Sequence, residues 1–365
     1  MIKLSELQKL DRVHPYPAKF TVDLAIEYIK KYSNRSGLIY DPFVGSGTSL
    51  LAAKYTGRNG YGTDINHIAI LISKFKSANF TKNNVISLYN YVNHLKSEFV
   101  ANIDETELYY YDSINHWFCD DAIRVLSYIK NSFASINDEN EMLFVKTVFS
   151  SILNSVSNQE SDTRYAAVYK PRLNKEYIFT TFVKKFSSTL SLVEALLGNE
   201  ISDVYLNPLL LDSNLCDTVI PNNSVDLIIT SPPYPNTYDY YLYHKHRMNW
   251  LGFDVKFSME KEIGSRREFS SLRHPKEKFD GDLYSILSHC NNVLKSQSYV
   301  VIVMGDGKIQ GEIYDAKENL LAICSKIGWK LANDSFTLLD ETSRSFQKSY
   351  RTKGKKEHVL VFEKV

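Results

Sequence analysis

A strand that runs into a glycine turn and out again as a helix constrains this chain more than any other feature. Leu38 to Phe43 is apolar enough for a short buried strand; the turn Val44-Gly45-Ser46-Gly47-Thr48 follows, and Ser49 to Tyr55 has the pattern of a helix. Glycine admits positive φ and close approach to a ligand, and the start of a helix offers N–H groups with no partner inside the helix. A second strand, Asn59 to Asp64, ends on a carboxylate, placed where an acid can take both hydroxyls of a ribose. Position 50 is Leu, so the third glycine of a dinucleotide fingerprint is missing, and the absence of Gly-Lys-Ser/Thr excludes a P-loop. An ordinary tight turn would explain Gly-x-Gly alone. The prefix Asp41-Pro42-Phe43 and the carboxylate of Asp64 favour a nucleoside-bearing cofactor.

Strand patterns resume late in the chain, at Val204 to Leu211, Val225 to Thr230, Tyr299 to Met304, Ser335 to Leu339 and His358 to Phe362. Helical patterns fall between several of them, which implies an α/β fold with a mostly parallel sheet covered on both faces. Val225-Asp226-Leu227-Ile228-Ile229 suits a central strand. Residues between 75 and 200 show helical periodicity, clearest at Asp120 to Phe133 and Glu141 to Val156, and few strand signals. The expected division is therefore 1–74, an insertion at 75–200, and 201–365.

The second chemical constellation is Thr230-Ser231-Pro232-Pro233-Tyr234, at the carboxyl end of the predicted central strand. A proline turn that merely ends a strand is the plain alternative. Two prolines, however, stiffen the backbone and remove two N–H donors, leaving carbonyls as the main-chain partners. A hydroxyl before them and an aromatic after them suit a planar ring that carries an amino group. Ser231 Oγ and the Pro232 carbonyl accept from the NH₂, and Tyr234 stacks on the ring. An exocyclic amine has its lone pair delocalised into the ring; two acceptors out of the ring plane free that pair and stabilise the positive charge that develops on alkylation. Neither a metal nor a covalent intermediate is needed.

These two motifs together resemble those of the amino-methylating DNA methyltransferases. The leader His14-Pro15-Tyr16-Pro17-Ala18-Lys19-Phe20 is similar to the segment that packs over the methionine end of the cofactor in that family. The resemblance covers roughly residues 11–75 and 205–310. It implies a Rossmann-like, seven-stranded methyltransferase sheet with a helical insertion that reads the target. It implies S-adenosyl-L-methionine as cofactor, bound by His14, Pro15, Tyr16, Pro17, Lys19, Asp41, Pro42, Phe43, Gly45, Ser46, Gly47, Thr48, Asp64, Ile65 and Asp212. Ser231, Pro232, Pro233 and Tyr234 become the catalytic set. Ser in the first position is typical of enzymes for cytosine N4, whereas Asp or Asn is more usual for adenine N6, and some Ser-type members act on adenine. Adenine-N6 methylation, an RNA base-amine methyltransferase and a DNA-binding module without catalysis remain the alternatives. Cytosine-C5 enzymes use a Pro-Cys nucleophile, and no such pair occurs here.

The partner implied is double-stranded DNA with one base flipped out, together with a cognate restriction endonuclease. Lys plus Arg is 43 and Asp plus Glu is 42, so any basic surface is local. The four cysteines form no CxxC, no His completes a zinc site, and no stretch reaches the ~18 apolar residues of a membrane span. A cytoplasmic, nucleoid-associated prokaryotic protein with no metal is expected. Secondary candidates are the aromatic and basic helix Tyr238 to Trp250, the loop Gly264-Ser265-Arg266-Arg267, the segment Ser161 to Tyr165 and the basic stretch Arg344 to Lys356.

Overall fold

The computed structural model describes residues 3–198, 204–338 and 355–365. Its main sheet consists of β1 (Leu38–Asp41), β2 (Asn59–Asp64), β3 (Leu206–Leu210), β4 (Val225–Thr230), β5 (Leu294–Gly305), β6 (Trp329–Leu338) and β7 (Lys356–Lys364). The spatial order is β3-β2-β1-β4-β5-β7-β6. β1 pairs in parallel with β2 and β4, β2 with β3, and β4 with β5. β7 runs antiparallel to both of its neighbours. From β1 the chain builds outward through β2 and β3, then returns to lay β4 on the other side of β1. Such a reversal opens a crevice beyond the carboxyl ends of the strands, and both chemical motifs sit at the carboxyl ends of β1 and β4. The sheet is mostly parallel, as the strand-helix alternation implies, and has the seven strands and Rossmann-like order that the family resemblance implies.

The central strands are apolar because both faces are covered. Leu227, Ile228 and Ile229 of β4 are fully buried, and each such side chain contributes roughly 1.5–3 kcal/mol. Asp226 interrupts the run because it has partners: its carboxylate accepts from the Leu38 N–H at 2.7 Å and from Lys295 Nζ at 2.7 Å. The helices Lys276–Val293 and Ala316–Ile327 lay Phe279, Leu283, Leu287, Cys290, Leu320 and Cys324 into one cluster with Val300, Ile302 and Leu360. β6 starts earlier than the sequence pattern implies. After buried Trp329 its residues are exposed, so its extent follows its pairing with β7 rather than a hydrophobic period. Leu339 and most of the basic stretch, 344–354, lie outside the described residues.

By contacts the chain divides into two compact units. The unit that holds the sheet comprises Tyr16–Ser73, Ile201–Leu242 and Lys256–Val365; the other comprises Met1–Pro15, Lys74–Glu200 and Tyr243–Val255. This differs from the three-part division expected from sequence, because residues 1–15 and 243–255 group with the helical insertion. Their burial explains why. Leu7 and Leu10 are buried, Asp11 forms a 2.8 Å ion pair with buried Lys76, and Trp250 packs edge-on against Phe118 and Phe149. The helix Tyr240–Leu251 is not a solvated basic face either: His244, His246 and Arg247 are interior. Arg247 is paired with Asp162 and donates to the Ser150 carbonyl, which explains how the charge is tolerated there. No helix among the described residues is long and apolar enough to cross a membrane.

Candidate functional site

The crevice at the end of β1 and β4 is a cavity of about 260 Å³ within the sheet unit. The turn after β1 forms one wall. Gly45 (φ 48°) and Gly47 (φ 78°) both need the left-handed region, and a Cβ on Gly47 would lie 2.8 Å from the Ser73 backbone. Asp41 is the post around which the turn is wound. It accepts from the Phe43 N–H at 3.0 Å, from Ser49 Oγ at 2.5 Å and, across to β4, from Thr230 Oγ1 at 2.6 Å. Burial raises its carboxyl to about 6, against the pull of those bonds.

Asp64, at the end of β2, accepts from the Gly45 N–H at 2.9 Å and from the Asn66 N–H at 2.8 Å, one bond to each oxygen. Each oxygen keeps acceptor capacity for a ligand hydroxyl. Burial raises this carboxyl to about 6 as well. Ser213 joins the walls: its hydroxyl lies 2.8 Å from Thr63 Oγ1 and donates to the Pro42 carbonyl. Asp212 caps the short turn Ser213–Thr218 and lies 3.3 Å from Lys261 Nζ. Tyr16 stacks on Tyr240 with ring centroids 5.7 Å apart, and its ring edge covers Gly45.

The segment after β4 is held by residues far away in sequence. Asn236 donates from its backbone to the Gly264 carbonyl and from its side chain to the Lys308 carbonyl at 2.7 Å. Asp239 accepts from the Arg267 N–H at 2.9 Å, and the Arg266 N–H donates to the Tyr238 carbonyl. Gly264 to Arg267, a secondary candidate in the sequence, thus braces the stretch 236–239 that follows the Ser-Pro-Pro-Tyr segment. Tyr234 donates its phenolic proton to Glu357 Oε1 at 2.6 Å, and its ring lies where a Cβ on Gly305 would sit.

Among the residues expected from sequence, Tyr16, Lys19, Asp41, Pro42, Phe43, Gly45, Ser46, Thr48, Asp64, Ile65, Asp212, Ser231 and Pro233 line the cavity together. Pro15, Pro17, Gly47, Pro232 and Tyr234 are not part of the lining, and Tyr234 is 4% exposed. His14 belongs to the other unit. Its ring is buried against Ser150 Oγ at 2.9 Å, and burial holds its pKa well below the ordinary value. His14 thus makes an internal hydrogen bond and does not line the cavity.

Glu262 and Glu268, both lining the cavity and both buried, were not legible in the sequence. Met259-Glu260-Lys261-Glu262 has the composition of a solvated helix end, and only the neighbouring Gly264 drew notice. Glu268 Oε2 has no hydrogen-bond partner among the described residues. Such an orphaned acceptor is costly unless a ligand donor meets it. In all, seven carboxylates and three lysines line the cavity. The site thus fits a cationic ligand with a diol and further donors. A separate cluster, Asp306, Asp315 and His358, brings possible metal-ligating atoms within 4.8 Å of one another. Those groups already serve the fold: Asp306 accepts from the Ala316 and Lys356 N–H groups, and Asp315 caps the helix Ala316–Ile327.

The Type II methyltransferase M.MvaI of Kocuria varians is 26% identical over 274 residues, covering 69% of this chain and 59% of the relative. The Type II methyltransferase M.MjaII of Methanocaldococcus jannaschii is 23% identical over 415 residues, covering 88% of this chain and 77% of the relative. The chain therefore spans less than two thirds of the Kocuria protein's length. Among solved structures, a SAM-dependent methyltransferase from Methanosarcina mazei overlays with a TM-score of 0.37 at 9% identity, over 92% of this chain and 96% of that one. The DNA methylase family (N6_N4_Mtase) matches residues 3–75 and 225–365, more than half of the chain, on either side of a stretch that includes the helical insertion. The chain belongs to this family of DNA methylases, whose cofactor is S-adenosyl-L-methionine.

Proposed function

We propose that this protein methylates the exocyclic amine of a base flipped out of duplex DNA, and that the base is cytosine, modified at N4. The observation that carries the reading is the joining of the two motifs. The Asp41–Thr230 bond ties the glycine turn to the end of β4, and Ser231 lines the same cavity as Asp64. A cofactor and an amine held by these two motifs are therefore neighbours. S-adenosylmethionine supplies, when bound, a positively charged sulfonium with a transferable methyl carbon. Asp64 takes the ribose hydroxyls, and the Gly45–Thr48 turn with Tyr16 and Lys19 holds the methionine end.

Ser231 Oγ and the Pro232 carbonyl accept hydrogen bonds from the two amine N–H groups, bend the amine out of conjugation and stabilise the charge that forms on nitrogen until one of those protons is lost to solvent. Their fixed placement counts for as much as their chemistry. The braces from Gly264, Lys308 and Arg267 hold Asn236 and Asp239, just after that segment, in advance. Tyr234 supports the base from its bonded position on Glu357; stacking on its face requires the base to displace part of what covers it. Ser at position 231 favours cytosine over adenine. The relatives' designation as Type II methyltransferases makes a cognate restriction endonuclease part of the same proposal.

The test is transfer of a labelled methyl group to duplex DNA and to RNA, followed by hydrolysis to bases. Label in the cytosine fraction of DNA is expected. Label in adenine would transfer the reading to N6, and label in RNA alone would overturn it.

A further inference from the structure

Glu262 lines the cavity, is 7% exposed and takes no part in the reaction outlined above. Its carboxylate accepts from the Tyr240 N–H at 2.7 Å and the Tyr241 N–H at 3.0 Å, at the start of the helix Tyr240–Leu251. Burial, then the neighbouring carboxylates of Asp239 and Asp64, push it up to about 8 despite those two bonds. The phenols of Tyr16 and Tyr241 also face it, and both are held above their ordinary range, mainly by burial. Two of the three lysines of the lining, and the arginines near Asp239, are engaged with other acids. Lys261 is paired with Asp212, Lys278 with Glu268 and Asp282, while the charges of Arg266 and Arg267 act on Asp239. The orphaned Glu268 Oε2 is an independent sign that this cavity is completed by a ligand rather than by the protein.

We propose that Glu262 makes the cavity select the sulfonium cofactor over the neutral thioether that remains after methyl donation, by pairing with the one charge that distinguishes them. The inference rests on the cofactor occupying this cavity. The two molecules share adenosine and amino-acid groups, so Asp64 and the glycine turn hold both alike. Only a buried anion without a counter-charge separates them, and low dielectric strengthens its effect. The chemical consequence is release of spent product, S-adenosylhomocysteine, in favour of fresh cofactor.

Proton linkage gives the sign. In the free protein Glu262 is mostly protonated at neutral pH. An arriving cation favours its ionised form, so binding S-adenosylmethionine expels a proton, and cofactor affinity rises with pH until about 8. S-adenosylhomocysteine lacks the charge and expels none from this group.

The experiment is calorimetric titration of the full chain with S-adenosylmethionine and with S-adenosylhomocysteine, in buffers of different ionisation heat at neutral pH. The parent is compared with Glu262→Gln, whose amide oxygen can keep one of the two bonds at the helix start, and with Asp64→Ala. The parent should release about one proton more with the cofactor than with the product. Glu262→Gln should abolish that difference and bind the cofactor ~10-fold more weakly, with the product unchanged within about twofold. Equal losses for both ligands in Glu262→Gln, or an unchanged proton difference, would reduce Glu262 to a helix cap and overturn the proposal. Asp64→Ala should weaken both ligands alike. Full affinity for both ligands in that variant would overturn the assignment of the cavity, and the selectivity with it.

Discussion

The turn after β1 and the segment after β4 lie at adjacent strand ends, yet they are held in opposite ways. Apart from the bonds that reach it from Thr230 and Ser213, the first is wound on nearby side chains. Asp41 reaches Phe43 and Ser49, Asp64 reaches Gly45 and Asn66, and Ser73 Oγ donates to the Gly45 carbonyl, none of these bonds spanning more than 28 residues. The second is pinned from a distance: Asn236 to Lys308 spans 72 residues and Tyr234 to Glu357 spans 123. A site that binds can be encoded locally. A site that must hold reacting atoms in advance recruits the far end of the sheet. Damage to the first region should therefore appear in cofactor affinity, and damage to the second in rate.

The largest effect on the binding side is expected from Asp64→Ala. Losing a charged acceptor for two hydroxyls should weaken S-adenosylmethionine by ~10–100-fold in a titration, with the sheet intact by circular dichroism. An unchanged affinity would move the ribose elsewhere. Acid should imitate the variant. Asp64 is raised to about 6, so cofactor affinity should fall as pH drops through that value, by up to about tenfold one unit below it.

The stability of the ligand-free protein should respond in the opposite sense. Asp41, Asp64 and Glu262 all have folded-state pKa values above their ordinary ones. The folded state therefore binds more protons than the unfolded state between about pH 4 and pH 8, and these three groups make stability fall as pH rises through that window. Buried His14, His244 and His246 are lowered and pull the other way below about pH 6.5, so the drop in thermal melts of the parent should show between about pH 6.5 and pH 8, by a few degrees, and a Glu262→Gln variant should flatten it. The smallest effect is expected from Glu357→Gln, which swaps a charged partner of Tyr234 for a neutral one. The transfer rate should fall roughly three- to tenfold, with cofactor affinity unchanged. A loss of affinity instead would mean that the distant braces serve binding, and the contrast between the regions would dissolve.

The same contrast explains what was legible in the sequence. Gly45, Gly47 and Asp64 announce themselves because each answers a local demand of the turn. β4 is legible because its burial leaves a continuous apolar run. Glu262, Glu268 and Glu357 are ordinary acids in ordinary stretches, and nothing local marks them as interior. His14 is the other case: a family-like leader suggests a ligand contact, while the hydrogen-bond partner of its ring is Ser150, 136 residues away. The helix Tyr240–Leu251 is a further case, since Arg247 next to His246 implies solvent, whereas Arg247 is buried and pairs with the partly exposed Asp162. The insertion carries its helical pattern openly. Which other stretches group with it depended on the burial of Leu7 and Trp250, which periodicity does not reveal.

The most direct test of the division of labour is one sample of Ser231→Ala measured twice, by cofactor titration and by single-turnover methyl transfer to DNA. Removing one of two amine acceptors should cost ~10²–10³ in rate, while S-adenosylmethionine binds within about twofold of the parent. A single-turnover rate within about twofold of the parent would contradict the account, because Ser231 would then not hold the amine.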